Sequence, residues 1–175
     1  MKCAVLVFLC WMCNCVLLAQ KAGGGCKVEL FMLKTHAEPQ TDIDDPMGYF
    51  LPAKAELQDQ PLVPDNEMVS YDINKDSNKP YYINLGKAEA KKVDSLVKKI
   101  PLHGLAFAIV VNGEPVYGGY FWSPSSSFIC TWVTAYAVGD RIVLHKGYDD
   151  LGYNDPRQNS KLIDCLKLTN RLKLY

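Results

Sequence analysis

The chain has 175 residues, with 19 Lys plus Arg, 19 Asp plus Glu and 7 cysteines. This length suits one ordinary domain, and an apolar fraction of 49% excludes a wholly disordered chain. A formal net charge of zero removes the phosphate attraction on which most nucleic-acid binders depend. No nucleic-acid partner is therefore expected.

Residues 1–19 have the order of an export signal. A short positive start precedes an apolar run broken only by Asn14, and a polar stretch follows. This order is typical of a secretory signal peptide, with cleavage near Ala19 or Gln20. The rival interpretation is a retained transmembrane helix, for which the run is barely long enough. We expect an exported protein, periplasmic or at the cell surface, with a short linker at residues 20–26 and a single domain at residues 27–175.

Three cysteines, Cys26, Cys130 and Cys165, would remain after cleavage. An oxidising compartment favours disulfides, and Cys130 on a predicted strand and Cys165 on a predicted helix form the candidate pair. Two buried free thiols are the alternative. Cys26 would then be left over, either free or lipidated. The chain would meet the membrane only through an uncleaved signal or such a lipid.

The domain reads in chain order as strands interrupted by two helices. Apolar residues at helical spacing predict a helix over residues 87–100, and Asp155-Pro156 opens a second helix. The Asn112-Gly113 pair predicts a tight hairpin, and Gly118-Gly119 indicates a bulge or a close backbone approach. Five prolines make residues 35–65 a long irregular connection. Strands are predicted at residues 27–34, 67–73, 80–85, 105–111, 115–121, 128–138 and 141–146.

These elements predict an α+β fold. We expect an antiparallel or mixed sheet of about five to seven strands with two helices packed on one face. Residues 122–175 would extend the domain by a hairpin and the C-terminal helix.

The middle of the chain resembles a known family. The motifs are Val28-Glu29-Leu30-Phe31-Met32-Leu33-Lys34, Pro80-Tyr81-Tyr82-Ile83-Asn84-Leu85, and the run from Leu105 through Asn112-Gly113 to Tyr117. Together they are similar to the first periplasmic domain of the protein-export translocase subunit SecD, over residues 27–121. The resemblance implies a shared α+β domain and an exported location. It transfers no catalytic residue and no role in translocation.

Residues suited to catalysis or metal binding are few. His36, His103 and His145 have the sequence context of surface residues, and the serines between Ser123 and Ser127 lack a nucleophile-elbow motif. A further hypothesis is a small hydrolase using Cys130 or one of these serines. The acidic turn at Asp42, Asp44 and Asp45 lacks the glycine and glutamate of an EF-hand loop. We therefore expect no cofactor and no metal.

Aromatic residues are concentrated after the predicted hairpin turn. Tyr117, Tyr120, Phe121 and Trp122 form a candidate binding surface, since exposed aromatic patches often mark partners or ligands. The alternative is a sheet face packed under the helices.

The sequence therefore predicts an exported, non-enzymatic domain that binds an unknown protein or small ligand in the cell envelope. An immunity or inhibitor-type protein, blocking a toxin or hydrolase, is the alternative.

Overall fold

The computed structural model describes residues 25–34, 56–101, 104–123, 125–126, 130, 132–147 and 155–175. Within these ranges the strands are β1 (Val28–Met32), β2 (Met68–Ile73), β3 (Tyr81–Leu85), β4 (Leu105–Val111), β5 (Glu114–Phe121), β6 (Thr134–Val138), β7 (Arg141–His145) and β8 (Leu172–Leu174). The α-helices are α1 (Lys87–Val97) and α2 (Ser160–Leu168), and short 3-10 helices span Asp65–Glu67 and Pro156–Gln158. The predicted signal peptide lies outside the described residues.

The strand count differs from the prediction. The expectation of five to seven strands is wrong, because the described residues form one sheet of eight strands in the order β1-β4-β5-β6-β7-β3-β2-β8. The unpredicted strand is β8, whose three residues are too few to show an alternating pattern. The sheet is mixed, since β5 pairs with β6 and β2 pairs with β8 in parallel, and the other neighbours are antiparallel. The fold is still α+β.

Both helices are shorter than the sequence predicts. Helix α1 ends at Val97, after which the Lys98 N–H group donates to the Asp94 carbonyl and the Lys99 N–H group to the Leu96 carbonyl. Asp155 caps the short 3-10 turn that contains Pro156, and α2 begins only after Asn159, whose side chain accepts from the Lys161 N–H group. Because Asp155 and Asn159 each cap the start of a helical segment, the one predicted helix is divided into the 3-10 turn and α2.

One core cluster joins the sheet to both helices. Helix α1 contributes Ala90 and Val93, and α2 contributes Leu162, Cys165 and Leu166. Alternate residues of the strands face these side chains. The continuous apolar run of β4 is buried from Ala106 to Val111, as expected of a strand inside the sheet and covered on both faces.

Asp65 connects the two ends of the sheet. Its Oδ1 accepts from the Val28 N–H group at 2.6 Å and from Arg171 Nη2 at 2.7 Å. Val28 begins β1 and Arg171 precedes β8, which are the two end strands. A flat sheet of this size would separate its ends by roughly 34 Å at the usual strand spacing. The sheet must therefore curl strongly.

Candidate functional site

The aromatic residues proposed as a binding surface are buried. Tyr117 is 2%, Tyr120 1%, Phe121 0% and Trp122 7% exposed. The hypothesis of an exposed aromatic patch at these four positions is therefore wrong, and the alternative of a face packed under the helices applies to Tyr117 and Phe121 only.

Strand alternation explains how the four side chains are divided. Tyr117 and Phe121 belong to the main core, where the Tyr117 hydroxyl lies 3.0 Å from that of Tyr71. Tyr120 and Trp122 point to the opposite face and pack with Ala106 in a second, smaller cluster. That cluster is completed by partly buried side chains, namely Leu33, Cys130, Trp132 and Tyr136.

Gly119 lies where two backbones approach closely, as the sequence suggested. A Cβ atom there would meet the Val133 carbonyl oxygen at 2.3 Å. The Tyr120 N–H group donates to the same oxygen at 2.9 Å, beside the parallel pairing of β5 with β6. The irregular register of the β4–β5 hairpin lies elsewhere, between Ile109 and Val110.

The cysteines pair differently from the prediction. Cys165 is bonded to Cys26, with the Cα atoms 5.4 Å apart, and Cys130 is a free thiol. The predicted Cys130–Cys165 bridge is wrong because Cys130 belongs to the small cluster on the opposite face of the sheet from Cys165. The Cys26 sulfur cannot carry both a disulfide and a lipid, so the lipidation hypothesis does not hold in this structure.

Among the described residues considered for catalysis, no hydrogen bond or ring contact joins Cys130, Ser123 or Ser125 to His145. Burial raises the pKa of Cys130 to about 11, so its thiol stays protonated near neutral pH and is a poor nucleophile. The hydroxyls of Ser123 and Ser125 lie 2.8 Å apart and bond each other. Partial burial, and secondarily the charge of Arg157, lower the pKa of His145, whose ring packs edge-on against Tyr136.

Other predicted candidates fall outside the described residues. These are His36, His103, Ser127 and the acidic turn at Asp42, Asp44 and Asp45. In the part of the chain that is described, no group of three or more His, Cys, Asp or Glu residues could hold a metal ion.

A buried arginine is a feature that sequence reasoning missed. The Arg157 side chain is 0% exposed and pairs with the Asp155 carboxylate, which accepts from Nη2 at 2.6 Å. Further guanidinium bonds go to the carbonyls of Ser77 and Leu144, and the guanidinium carbon lies 4.0 Å from the Tyr81 ring centroid. The only signal for this arrangement in the sequence is the order Asp155-Pro156-Arg157, in which the aspartate can cap a turn. Because every donor direction is occupied by protein groups, the arginine has a structural role.

A cavity of about 480 Å³ lies between the end of β1, the start of β4 and helix α1. This volume is within the range of ~300–1,000 Å³ usual for ligand pockets. Its lining combines an apolar surface with two lysines and two glutamines, namely Met32, Leu33, Lys34, Gln58, Gln60, Pro61, Leu62, Lys92, Leu96, Leu105 and Ala106. Such a lining can hold an apolar group and bond a polar or negatively charged one.

The two lysines of the cavity differ in their existing partners. Lys34 Nζ lies 2.8 Å from Asp59 Oδ1, and this hydrogen bond raises the pKa of Lys34. Lys92 Nζ lies 3.4 Å from Glu89 Oε2, an ion pair too long for a strong hydrogen bond. Because an ammonium group has three donors, Lys92 can bond an anion while it still faces Glu89 Oε2, a buried atom with no hydrogen-bond partner among the described residues.

Comparisons with known proteins find a likeness of fold. No protein-family model and no curated protein matches the chain. A solved structure of SecDF, described as a membrane component that enhances protein export, matches with a TM-score of 0.45 and 15% identity. The match covers 86% of this chain and 66% of the SecDF chain. This is a similarity to SecDF at the level of the fold, and no function is taken from it.

None of the helices within the described ranges has the length and apolar character needed to cross a membrane.

Proposed function

We propose that this chain is an exported, non-enzymatic binding domain that recognises a protein or small ligand in the cell envelope. The observation that carries the proposal is the cavity beside α1. Its apolar floor, from Leu62, Leu96 and Leu105, would accept an apolar group of the bound molecule. The amides of Gln58 and Gln60 and the ammonium of Lys92 would bond a polar or anionic group next to it.

The Cys26–Cys165 disulfide supports the exported location. Disulfides persist in secreted and periplasmic proteins and are rare in the reducing cytosol. Mass spectrometry of the chain purified from its own envelope should find residues 1–19 removed and these two cysteines joined.

The binding proposal is tested with the anionic apolar dye 8-anilinonaphthalene-1-sulfonate as a probe. We expect Leu96→Trp, which fills the cavity, and Lys92→Glu, which reverses its charge, each to weaken dye binding about tenfold, or by ~1.4 kcal/mol. Lys91→Glu is the matched control, because it makes the same charge change on an exposed residue of α1 that does not line the cavity.

Urea unfolding must show that each variant keeps its fold, since loosened proteins also bind this dye. Dye binding that is the same in Leu96→Trp as in the unaltered chain would refute the cavity as the binding site.

The alternative function, an immunity or inhibitor-type protein, is favoured by a different observation. Strand β8 is an end strand of the sheet, and such an edge can pair with a strand of a target. This alternative would be favoured if a secreted toxin or hydrolase is encoded beside this chain. The chain should then inactivate that protein when the two are mixed in equal amounts.

A further inference from the structure

The end of the sheet at β8 has backbone groups available for pairing. Within the described residues β8 has a strand neighbour on one side only, β2. The Arg171 carbonyl accepts from the Tyr71 N–H group, and the Tyr175 N–H group donates to the Ile73 carbonyl. Because alternate residues of a strand direct their backbone groups to opposite sides, Leu172 and Leu174 direct theirs away from β2.

Exposed apolar side chains are concentrated around this edge. Leu174 is 65%, Tyr175 64% and Leu168 78% exposed, and Leu168 ends the helix that leads into β8. Val69 on the neighbouring β2 is 56% exposed. In the described part of the chain, Val138 is the only large apolar residue of comparable exposure that lies elsewhere. An edge strand with an apolar surround is typical of an interaction site.

The two faces of β8 differ in character. Leu172 packs against the main core, so alternation places Leu174 on that same, helix-covered side of the sheet. Lys173 is exposed and lies on the opposite side. A strand added at this edge would therefore meet an apolar residue on one face and a lysine on the other.

Charge disfavours a second copy of this chain as the occupant. In the symmetric antiparallel register that pairs all three residues of β8, Leu172 and Leu174 exchange hydrogen bonds with each other across the two copies. This register sets Lys173 directly opposite its own copy. Like charges at opposed positions of neighbouring strands destabilise the pairing. A carboxylate at that position would stabilise it for the same reason.

We infer that the free edge of β8 binds an extended acidic segment of a partner protein as a ninth strand. Apolar side chains of the segment lie on the side of Leu174, and a carboxylate lies opposite Lys173. The inference goes beyond the proposed function, which the cavity carries. The surface is separate from the cavity, because no residue of β8 lines the cavity.

The test uses two extended probe peptides, one alternating valine with glutamate and one alternating valine with lysine. Binding is followed by amide chemical shifts and by fluorescence anisotropy. We expect the acidic peptide to bind, with the largest shifts at Leu172 and Leu174, and at least about tenfold more tightly than the basic one. Lys173→Glu should reverse that preference, whereas Lys91→Glu on α1 should leave it unchanged.

A second variant separates edge pairing from charge attraction. Leu174→Pro removes an N–H group that points away from β2, so it should abolish peptide binding and keep the pairing with β2. Binding that survives Leu174→Pro, equal binding of both peptides, or absence of binding by the acidic one would overturn the inference. A dimer in solution that Leu174→Pro disrupts would overturn it in favour of a second copy.

The cavity variant Leu96→Trp distinguishes the two proposals. It should weaken dye binding about tenfold and leave binding of the acidic peptide unchanged. If the unaltered chain binds the dye but not the acidic peptide, the edge proposal alone is refuted. If it binds the acidic peptide but not the dye, the cavity proposal alone is refuted.

Discussion

At the scale of single residues, the buried Arg157 shows how one side chain fixes several segments. Its guanidinium bonds Asp155, the loop carbonyl of Ser77 and the β7 carbonyl of Leu144, and it covers the Tyr81 ring. Burying an arginine is unfavourable unless its charge is paired and its donors are bonded. Here both conditions are met by groups distant from one another in the sequence.

Arg157→Met is expected to lower the free energy of unfolding by about 3 kcal/mol. The reason is that the Asp155 carboxylate, only 6% exposed, would remain buried without its counter-charge. Urea unfolding followed by circular dichroism measures the change. The control is Arg141→Met at a side chain that is 55% exposed, where a change within about 0.5 kcal/mol is expected. Equal stabilities of the two variants would contradict this role for Arg157.

At the scale of elements, the pairing of β5 with β6 depends on the absence of a side chain at Gly119. The two strands are parallel neighbours, and the Val133 carbonyl lies where a Cβ atom would be. The Val133 oxygen belongs to the backbone, and the adjoining Phe107 ring is fully buried. Neither can therefore move freely to make room for a side chain.

Gly119→Ala is therefore expected to destabilise the protein by about 3 kcal/mol through overpacking. Amide hydrogen exchange should accelerate first at Tyr120 and Trp122, whose N–H groups donate across this contact. Gly25→Ala is the matched control, because nothing lies within 4 Å of a Cβ atom there. Unchanged exchange at Tyr120 would contradict the dependence of this strand pairing on Gly119.

Element types were largely predictable, whereas several boundaries were not. The apolar run of β4 and the Asn112-Gly113 turn carry their information locally, and the hairpin forms as expected, with φ of 51° and 82° at the two turn residues. The start of α2 was missed because Asp155 and Asn159 both have capping side chains. Strand β8 was missed because pairing with β2, rather than its own sequence, makes it a strand.

At the scale of the whole molecule, two links hold the beginning of the described chain to its end. Asp65 ties β1 to Arg171 beside β8, and the Cys26–Cys165 disulfide ties the start of β1 to α2. The disulfide joins residues 139 positions apart. Closing so long a loop restricts the unfolded chain, which raises the relative stability of the folded one.

Reduction of this disulfide is expected to lower the free energy of unfolding by about 4 kcal/mol. Unfolding in urea with and without dithiothreitol measures the difference. The double variant Cys26→Ser with Cys165→Ser should be as unstable as the reduced chain and insensitive to the reductant. Cys130→Ser should keep the full sensitivity, and a loss of sensitivity there would mean that Cys130 takes part in the bridge.

The candidate sites were the part least accessible from the sequence. Tyr117, Tyr120, Phe121 and Trp122 were recognised as a group because aromatic clustering is visible along the chain. Their burial depends on the helices and the second cluster that cover the two faces of β5. The cavity and the β8 edge bring together residues from distant segments, and no local sequence motif predicts either of them.

By itself the sequence determined the α+β class and the Asn112-Gly113 hairpin, and it marked Gly118-Gly119 as a bulge or a close approach, because alternation, turn residues and glycines act on neighbouring positions. Only the tertiary structure decided the strand order, the partner of Cys165 and the exposure of the aromatic residues. These depend on which distant segments meet when the sheet curls, as Asp65 shows by contacting both β1 and Arg171. Long-range contacts of this kind leave no periodic pattern in the chain.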